Sequence, residues 1–270
     1  MRYYIYNRLA ASKKPKIESN AKLVGAIGLD YKKFFSELNQ NDEVVIIGGD
    51  MSINHFIRKI QGYKVTNNVY VRAFGYGSDF VNDVERKLTD EVLLNPYIEN
   101  LPMTTIKKHH RPFINGVGFG LDGYCCATAD YIKAKSPAAS VNYTGIALKG
   151  LLYKFKPVHA TVEIDDQKYE FDNVWLASTM KGRYFGGGMK IAPDQSRNND
   201  DHLTVIVYTA KSRLKALLSF PDVFKGTHTK NKELVKIYTG KKVHMKFSRI
   251  GDAEVDGDTV SKVDEYWAQI

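Results

Sequence analysis

The apolar pattern changes character near Pro112, and this limits the chain to two differently built halves. Before that point, strand-like runs alternate with helical stretches. Tyr3–Tyr6, Glu43–Ile47 and Asn68–Ala73 are rich in β-branched and aromatic residues, which predicts strands. Tyr31–Asn39 reads as a helix, and Ser52–Ile60 places Ile53, Phe56, Ile57 and Ile60 on one helical face. Strand, glycine turn, helix, strand is the order of a parallel α/β sheet. After Pro112 the runs are short and β-rich: Phe113–Gly118, His159–Ile164, Asn173–Met180, Leu203–Thr209, Leu234–Tyr238 and Lys241–Phe247. One amphipathic helical stretch, Tyr143–Phe155, interrupts them, and Asp165–Asp166 reads as a hairpin turn. The expected fold is a parallel α/β domain over residues 1–111 and an antiparallel β-sandwich or barrel over 112–270, with an active-site cleft between them.

Composition narrows the classes of function. The 270 residues, 43% hydrophobic and 26% charged, suit globular domains with sizeable cores. No apolar run approaches the roughly 20 residues that span a bilayer, and the first residues read as a strand and not as a secretory signal. The two cysteines, Cys125 and Cys126, are neighbours, which gives no disulfide framework and points to a reducing cytoplasm; both read as small core residues. A net charge of +9 implies attraction to anions such as nucleotide phosphates or phospholipid headgroups. Lysines gather at 13–16, at 149–156 and along 225–249, and most such clusters are solvated faces. No zinc-finger spacing, basic zipper or RNA-recognition motif accompanies them, so nucleic acid is not an expected partner.

The segment Val44–Ile47 runs into Gly48-Gly49-Asp50-Met51-Ser52 and then into a helix. That order aims backbone N–H groups and the positive helix end at one point, which suits phosphate. It also suits an ordinary strand-to-helix turn, which is the favoured reading on these residues alone. Gly75-Tyr76-Gly77-Ser78-Asp79-Phe80 follows the next strand, and loops at the carboxyl ends of neighbouring parallel strands converge.

Together with later motifs, these residues resemble the bacterial diacylglycerol kinase and sphingosine kinase family. Gly48–His55 is similar to that family's Gly-Gly-Asp-Gly-Thr loop and following Asn-Glu, and Gly75–Phe80 to its second loop. Asn115–Gly120 resembles the strand that opens the family's β-domain, and Gly186–Pro193 its glycine-methionine-proline signature. Asn199-Asp200-Asp201-His202-Leu203 is similar to its acidic turn, and Asp256-Gly257-Asp258 to its Asp-Gly-Glu. The resemblance implies ATP- and magnesium-dependent phosphorylation of a lipid hydroxyl. It assigns the nucleotide phosphates to Gly48, Gly49, Asp50, Met51 and Ser52, with Gly75, Tyr76, Gly77 and Asp79 lining the same site. It assigns the metal to Asp200, with backbone carbonyls near Arg197 and His202, and the catalytic carboxylate to Asp258. Among the departures from the pattern, Met51 stands for a glycine, Tyr76 for a threonine, and Asp258 for a glutamate.

The expectation is thus a lipid kinase, peripheral to the inner membrane, with a lipid substrate and an anionic membrane surface as partners. A homodimer is compatible with it. Two alternatives stay open: an NAD-kinase-like enzyme, and a catalytically silent homologue that binds nucleotide or lipid. His109 and His110, followed by Arg111, read as a surface pair near the hinge.

Overall fold

The computed structural model describes residues 1–7, 15–74, 78–136, 141–198 and 201–270. The chain divides into two compact units, Met1–Leu101 and Pro102–Ile270.

In the first unit, β1 (Arg2–Tyr6), β2 (Lys22–Gly25), β3 (Glu43–Ile47), β4 (Val69–Arg72) and β5 (Glu91–Leu93) form one sheet in the order β2-β1-β3-β4-β5. The first four are parallel, and β5 runs antiparallel to β4. Three helices accompany the sheet: α1 (Tyr31–Ser36), α2 (Asp50–Lys59) and α3 (Asp79–Asp83). Asp30 starts α1 by accepting a hydrogen bond from the Lys33 N–H at 3.1 Å. Val44 to Ile47 are all buried, as expected of a strand covered on both faces. Ile53, Phe56 and Ile57 are buried on α2, with Ile60 buried at its C-cap, the face that helical spacing anticipates. Each such side chain contributes about 1.5–3 kcal/mol.

The second unit holds β6 (Met103–Ile106), β7 (His109–Pro112), β8 (Gly116–Gly120), α4 (Leu121–Lys135), α5 (Tyr143–Lys149), β9 (Val158–Ile164), β10 (Gln167–Met180), β11 (Leu203–Thr209), α6 (Arg213–Ser219), α7 (Pro221–Lys225), β12 (Val235–Gly240), β13 (Lys242–Val255) and β14 (Asp258–Gln269). A π-helical turn, Gly150–Lys154, continues α5. All strand pairings are antiparallel. The two 14-residue strands, β10 and β13, each pair with β9 through their first half and with β8 through their last. Register shifts near Val174 and Gly251 let these long strands bend within the nine-stranded sheet. One core, including Phe119, Val162, Val205, Met245 and Tyr266, lies among the strands. A second, including Trp175, Ile206 and Tyr208, lies under α4 to α7.

The boundary falls between Leu101 and Pro102, and not after Arg111. The hairpin β6–β7 belongs to the second unit because β6 pairs with β14, Thr105 opposite Trp267, across most of the chain. No local pattern reports a pairing at that separation. The sequence pattern also gave no sign of α4. Its inward residues Leu121, Gly123, Cys125 and Ala129 are mostly small, so no large apolar period marks it. Gly123 is required there: a Cβ would lie 2.0 Å from the Asp252 carbonyl oxygen on β13.

Candidate functional site

The glycine loop of the first unit begins where β3 ends. Gly48 donates its N–H to the Arg72 carbonyl on β4 at 3.1 Å. A Cβ at Gly48 would lie 2.0 Å from Ser52 Oγ, so glycine lets the hydroxyl fold back over the turn. Gly49 caps α2 without a side-chain hydrogen bond. Asp50 then reaches across to the loop after β4. Its carboxylate accepts from Ser78 Oγ at 3.0 Å and from the N–H groups of Asp79 and Phe80 at 2.8 and 2.9 Å. The two loops that the sequence pointed to are therefore brought together, and Asp50 ties them. Met51 follows in the first turn of α2 with 49% of its surface exposed, so its side chain fills no core position. Asp79 is buried in the first turn of α3. Gly75, Tyr76 and Gly77 lie outside the described residues.

In the second unit the chemistry gathers around the turn between β13 and β14. Asp256 is buried, and its carboxylate accepts from the N–H groups of Ile114, Asn115 and Gly116 at 2.8, 2.7 and 3.1 Å. Gly257, at φ +83, turns the chain, and its N–H donates to Glu254 Oε2 at 2.7 Å. Asp258 opens β14 with its side chain 38% exposed, and its Oδ2 accepts from Arg111 Nη1 at 2.5 Å. Arg111 is not a surface residue: its side chain is 8% exposed, and its Nε and Nη2 are buried without hydrogen-bond partners among the described residues. His109 and His110 beside it are exposed. The difference runs along β7 and does not follow strand alternation, since His109 and His110 are exposed while Arg111 and Pro112 are buried.

The residues expected around a metal are Arg197, Asp200 and His202. Arg197 is buried, and its guanidinium donates to the Ile114 carbonyl at 2.5 Å and to Asn115 Oδ1 at 2.7 Å. It thereby braces the segment that Asp256 holds from the other side. The carbonyls of Lys181, Ser196 and His202 each accept from Gln195 Nε2 at 3.4 Å. Asp200 lies outside the described residues. Among the described residues, no group of three or more His, Cys, Asp or Glu side chains could hold a metal ion.

The triple glycine supports this unit. Gly186, Gly187 and Gly188 have φ of +63, +84 and +106, a run that side-chain-bearing residues rarely adopt. The run closes a turn in which Phe185 and Met189 exchange backbone hydrogen bonds at 3.0 and 3.1 Å. On the other side of β8, Asp122 is buried in the first turn of α4. It accepts from Ser178 Oγ at 2.9 Å and from the Gly123 N–H at 2.8 Å. Burial pushes its carboxyl up to about 6. Burial likewise pushes the Cys125 thiol up to about 12, so it is a core residue and not a nucleophile.

Sequence reasoning missed the roles of Arg111 and Asp256. Asp256 carried a signal, since it shares a motif with Asp258. Arg111 carried none, because its meaning depends on a carboxylate 147 residues away.

Residues 115–266, more than half of the chain, match the family model described as the YegS C-terminal NAD kinase beta sandwich-like domain. The chain is 24% identical over 228 residues to diacylglycerol kinases of two Mycobacterium tuberculosis strains, CDC 1551 / Oshkosh and ATCC 25618 / H37Rv. That alignment covers 80% of this chain and 70% of each relative. In fold, the chain is similar to a crystal structure of a diacylglycerol kinase from Bacillus anthracis str. Sterne. The TM-score is 0.67 at 14% identity, covering 99% of this chain and 93% of that one. With the family model matched over more than half of its length, the chain belongs to the bacterial diacylglycerol-kinase-like lipid kinase family.

Proposed function

We propose that this protein transfers the terminal phosphoryl group of ATP to the hydroxyl of a lipid, diacylglycerol or a close relative. The observation that carries the proposal is Asp258, a part-exposed carboxylate held at Oδ2 by the buried Arg111 on a turn that Asp256 fixes. A carboxylate so anchored suits a general base: it is accessible, and its orientation is restrained. In the reaction, the lipid hydroxyl oxygen attacks the terminal phosphorus in line. A new O–P bond forms, the bridging P–O bond to ADP breaks, and the hydroxyl proton passes to Asp258.

The nucleotide phosphates are assigned to the start of α2, a ten-residue helix whose N-cap, Gly49, has no side-chain cap. The first N–H groups of such a helix point outward along its dipole and suit phosphate. Asp50 contributes by tying this loop to the neighbouring one and not by touching phosphate, since its carboxylate already receives three donors. Magnesium accompanies ATP in this reading by neutralising phosphate charge. The described residues of the expected metal set supply no side-chain oxygen for it, so no step is routed through a protein-held ion.

The test is turnover of the purified protein with magnesium-ATP, offered short-chain diacylglycerol or NAD. Phosphorylated diacylglycerol supports the reading, and Asp258→Ala should then lower turnover about a hundredfold or more. Phosphorylated NAD, or no product from either acceptor, overturns it.

A further inference from the structure

We propose that the outer face of α5, its π-helical continuation and the α6–α7 pair is a docking surface for an anionic phospholipid bilayer. The proposal takes from the lipid-kinase reading only that the substrate resides in a membrane; its structural basis is separate.

The two helical segments form one surface. α5 and the π-helical turn bury Ile146, Ala147 and Leu151, while α6 and α7 bury Ala216 and Val223, all in the same core cluster. Arg213, at the start of α6, ties them by donating to the Leu151 carbonyl at 2.9 Å and the Phe155 carbonyl at 2.8 Å. With inner faces on one core and their backbones tied, the outer faces lie side by side.

Those outer faces are apolar where solvent should favour polar groups. Leu148 and Leu152 are four apart on the first segment, and Leu214 and Leu218 four apart on α6, so each pair lies on one side of its helix. Leu214 is 64% exposed and Leu218 71%, and Leu152 and Tyr153 are at least half exposed. Scattered single apolar residues need no explanation, but paired leucines on two adjoining helices do.

The charge around them selects the occupant. Residues 141–156 contain three lysines and no acid, and residues 211–225 contain four basic residues and one acid. A second copy docking on the same patch would bring these two basic faces together. An anionic bilayer instead accepts the leucines among its acyl chains. The lysines meet the phosphates, and Tyr153 sits at the interface.

The experiment is co-sedimentation with vesicles of phosphatidylcholine alone, or of equimolar phosphatidylcholine and phosphatidylglycerol, without ATP or diacylglycerol. Binding only to the anionic vesicles, weakening as salt rises, is the expected result. Leu214→Ser with Leu218→Ser should lower it about tenfold or more, and Lys149→Gln with Lys154→Gln about tenfold. Ile27→Ser, at an equally exposed leucine-sized residue of the first unit, should leave binding unchanged. Both leucines are exposed, so the double variant should melt as the parent does.

Undiminished binding by both double variants overturns the proposal, as does equal binding to neutral vesicles. A vesicle-free dimer that the leucine variant dissociates would assign the patch to a second copy and overturns it as well. Failure of the kinase reading shows elsewhere, as absent turnover on soluble short-chain diacylglycerol with vesicle binding intact.

Discussion

The loop after β3 and the turn before β14 each place aspartates beside glycine, yet their carboxylates have different tasks. In the first unit, Asp50 spends its carboxylate on Ser78 and on the N–H groups of Asp79 and Phe80, joining two loops. In the second, the work is divided between neighbours. Asp256 takes three backbone N–H groups, and Asp258 stays part-exposed against the Arg111 guanidinium. The residue type is the same in all three cases, and the surrounding donors decide the role. A carboxylate facing several backbone donors serves the fold, whereas one that is part-exposed beside a buried cation suits the role proposed for Asp258.

The largest effect expected from this comparison is at Asp256. Asp256→Ala leaves three buried N–H groups without their acceptor and should cost about 3 kcal/mol or more in urea unfolding. A change below about 1 kcal/mol would show that the turn is fixed by other contacts. Asp50→Ala should cost about 2 kcal/mol, because Asp50 itself is part-exposed, unlike Asp256. Its nucleotide affinity should fall as the two loops part, and unchanged affinity would separate Asp50 from the nucleotide site.

Arg111 sharpens the contrast in the opposite direction. Two of its buried nitrogens have no hydrogen-bond partner among the described residues, so it is a poor source of stability. Arg111→Met should leave the unfolding midpoint unchanged or raised while lowering turnover about tenfold or more, since Asp258 loses its anchor. Joint loss of stability and activity would make the arginine merely structural. Met51→Gly should have a smaller effect, a severalfold gain in ATP affinity measured by calorimetry, offset by up to about 1 kcal/mol of helix stability. Tighter ATP binding by the parent would mean that the loop is adapted to methionine.

The smallest effect concerns pH. Asp122 titrates at about 6 when folded, above the ordinary carboxylate value of 3.8, because burial penalises its charge. Between about pH 4 and pH 6 the folded protein therefore holds more proton than the unfolded chain. Stability should fall as pH rises through that window, by no more than about 1.4 kcal/mol per pH unit, and then level off. Asp122→Asn should remove this component of the slope in urea titrations across the window. An unchanged slope would assign it to another group.

Much of this molecule is written locally in its sequence. The β-branched run Val44–Ile47, the helical spacing of Ile53, Phe56 and Ile57, and the turn at Asp165 each follow from contacts within a few residues. The order of glycine and aspartate motifs was equally legible, and it marked the turn that carries Asp258. What the tertiary structure alone decided are the long-range pairings. β6 joins β14 and draws the boundary back to Leu101, and Gly123 admits α4 against β13. Arg111 becomes a functional candidate only when Asp258 arrives beside it. Local propensity fixes backbone shape over a few residues, but a charge acquires its role from whichever group the folded chain brings to it, and sequence spacing does not encode that distance.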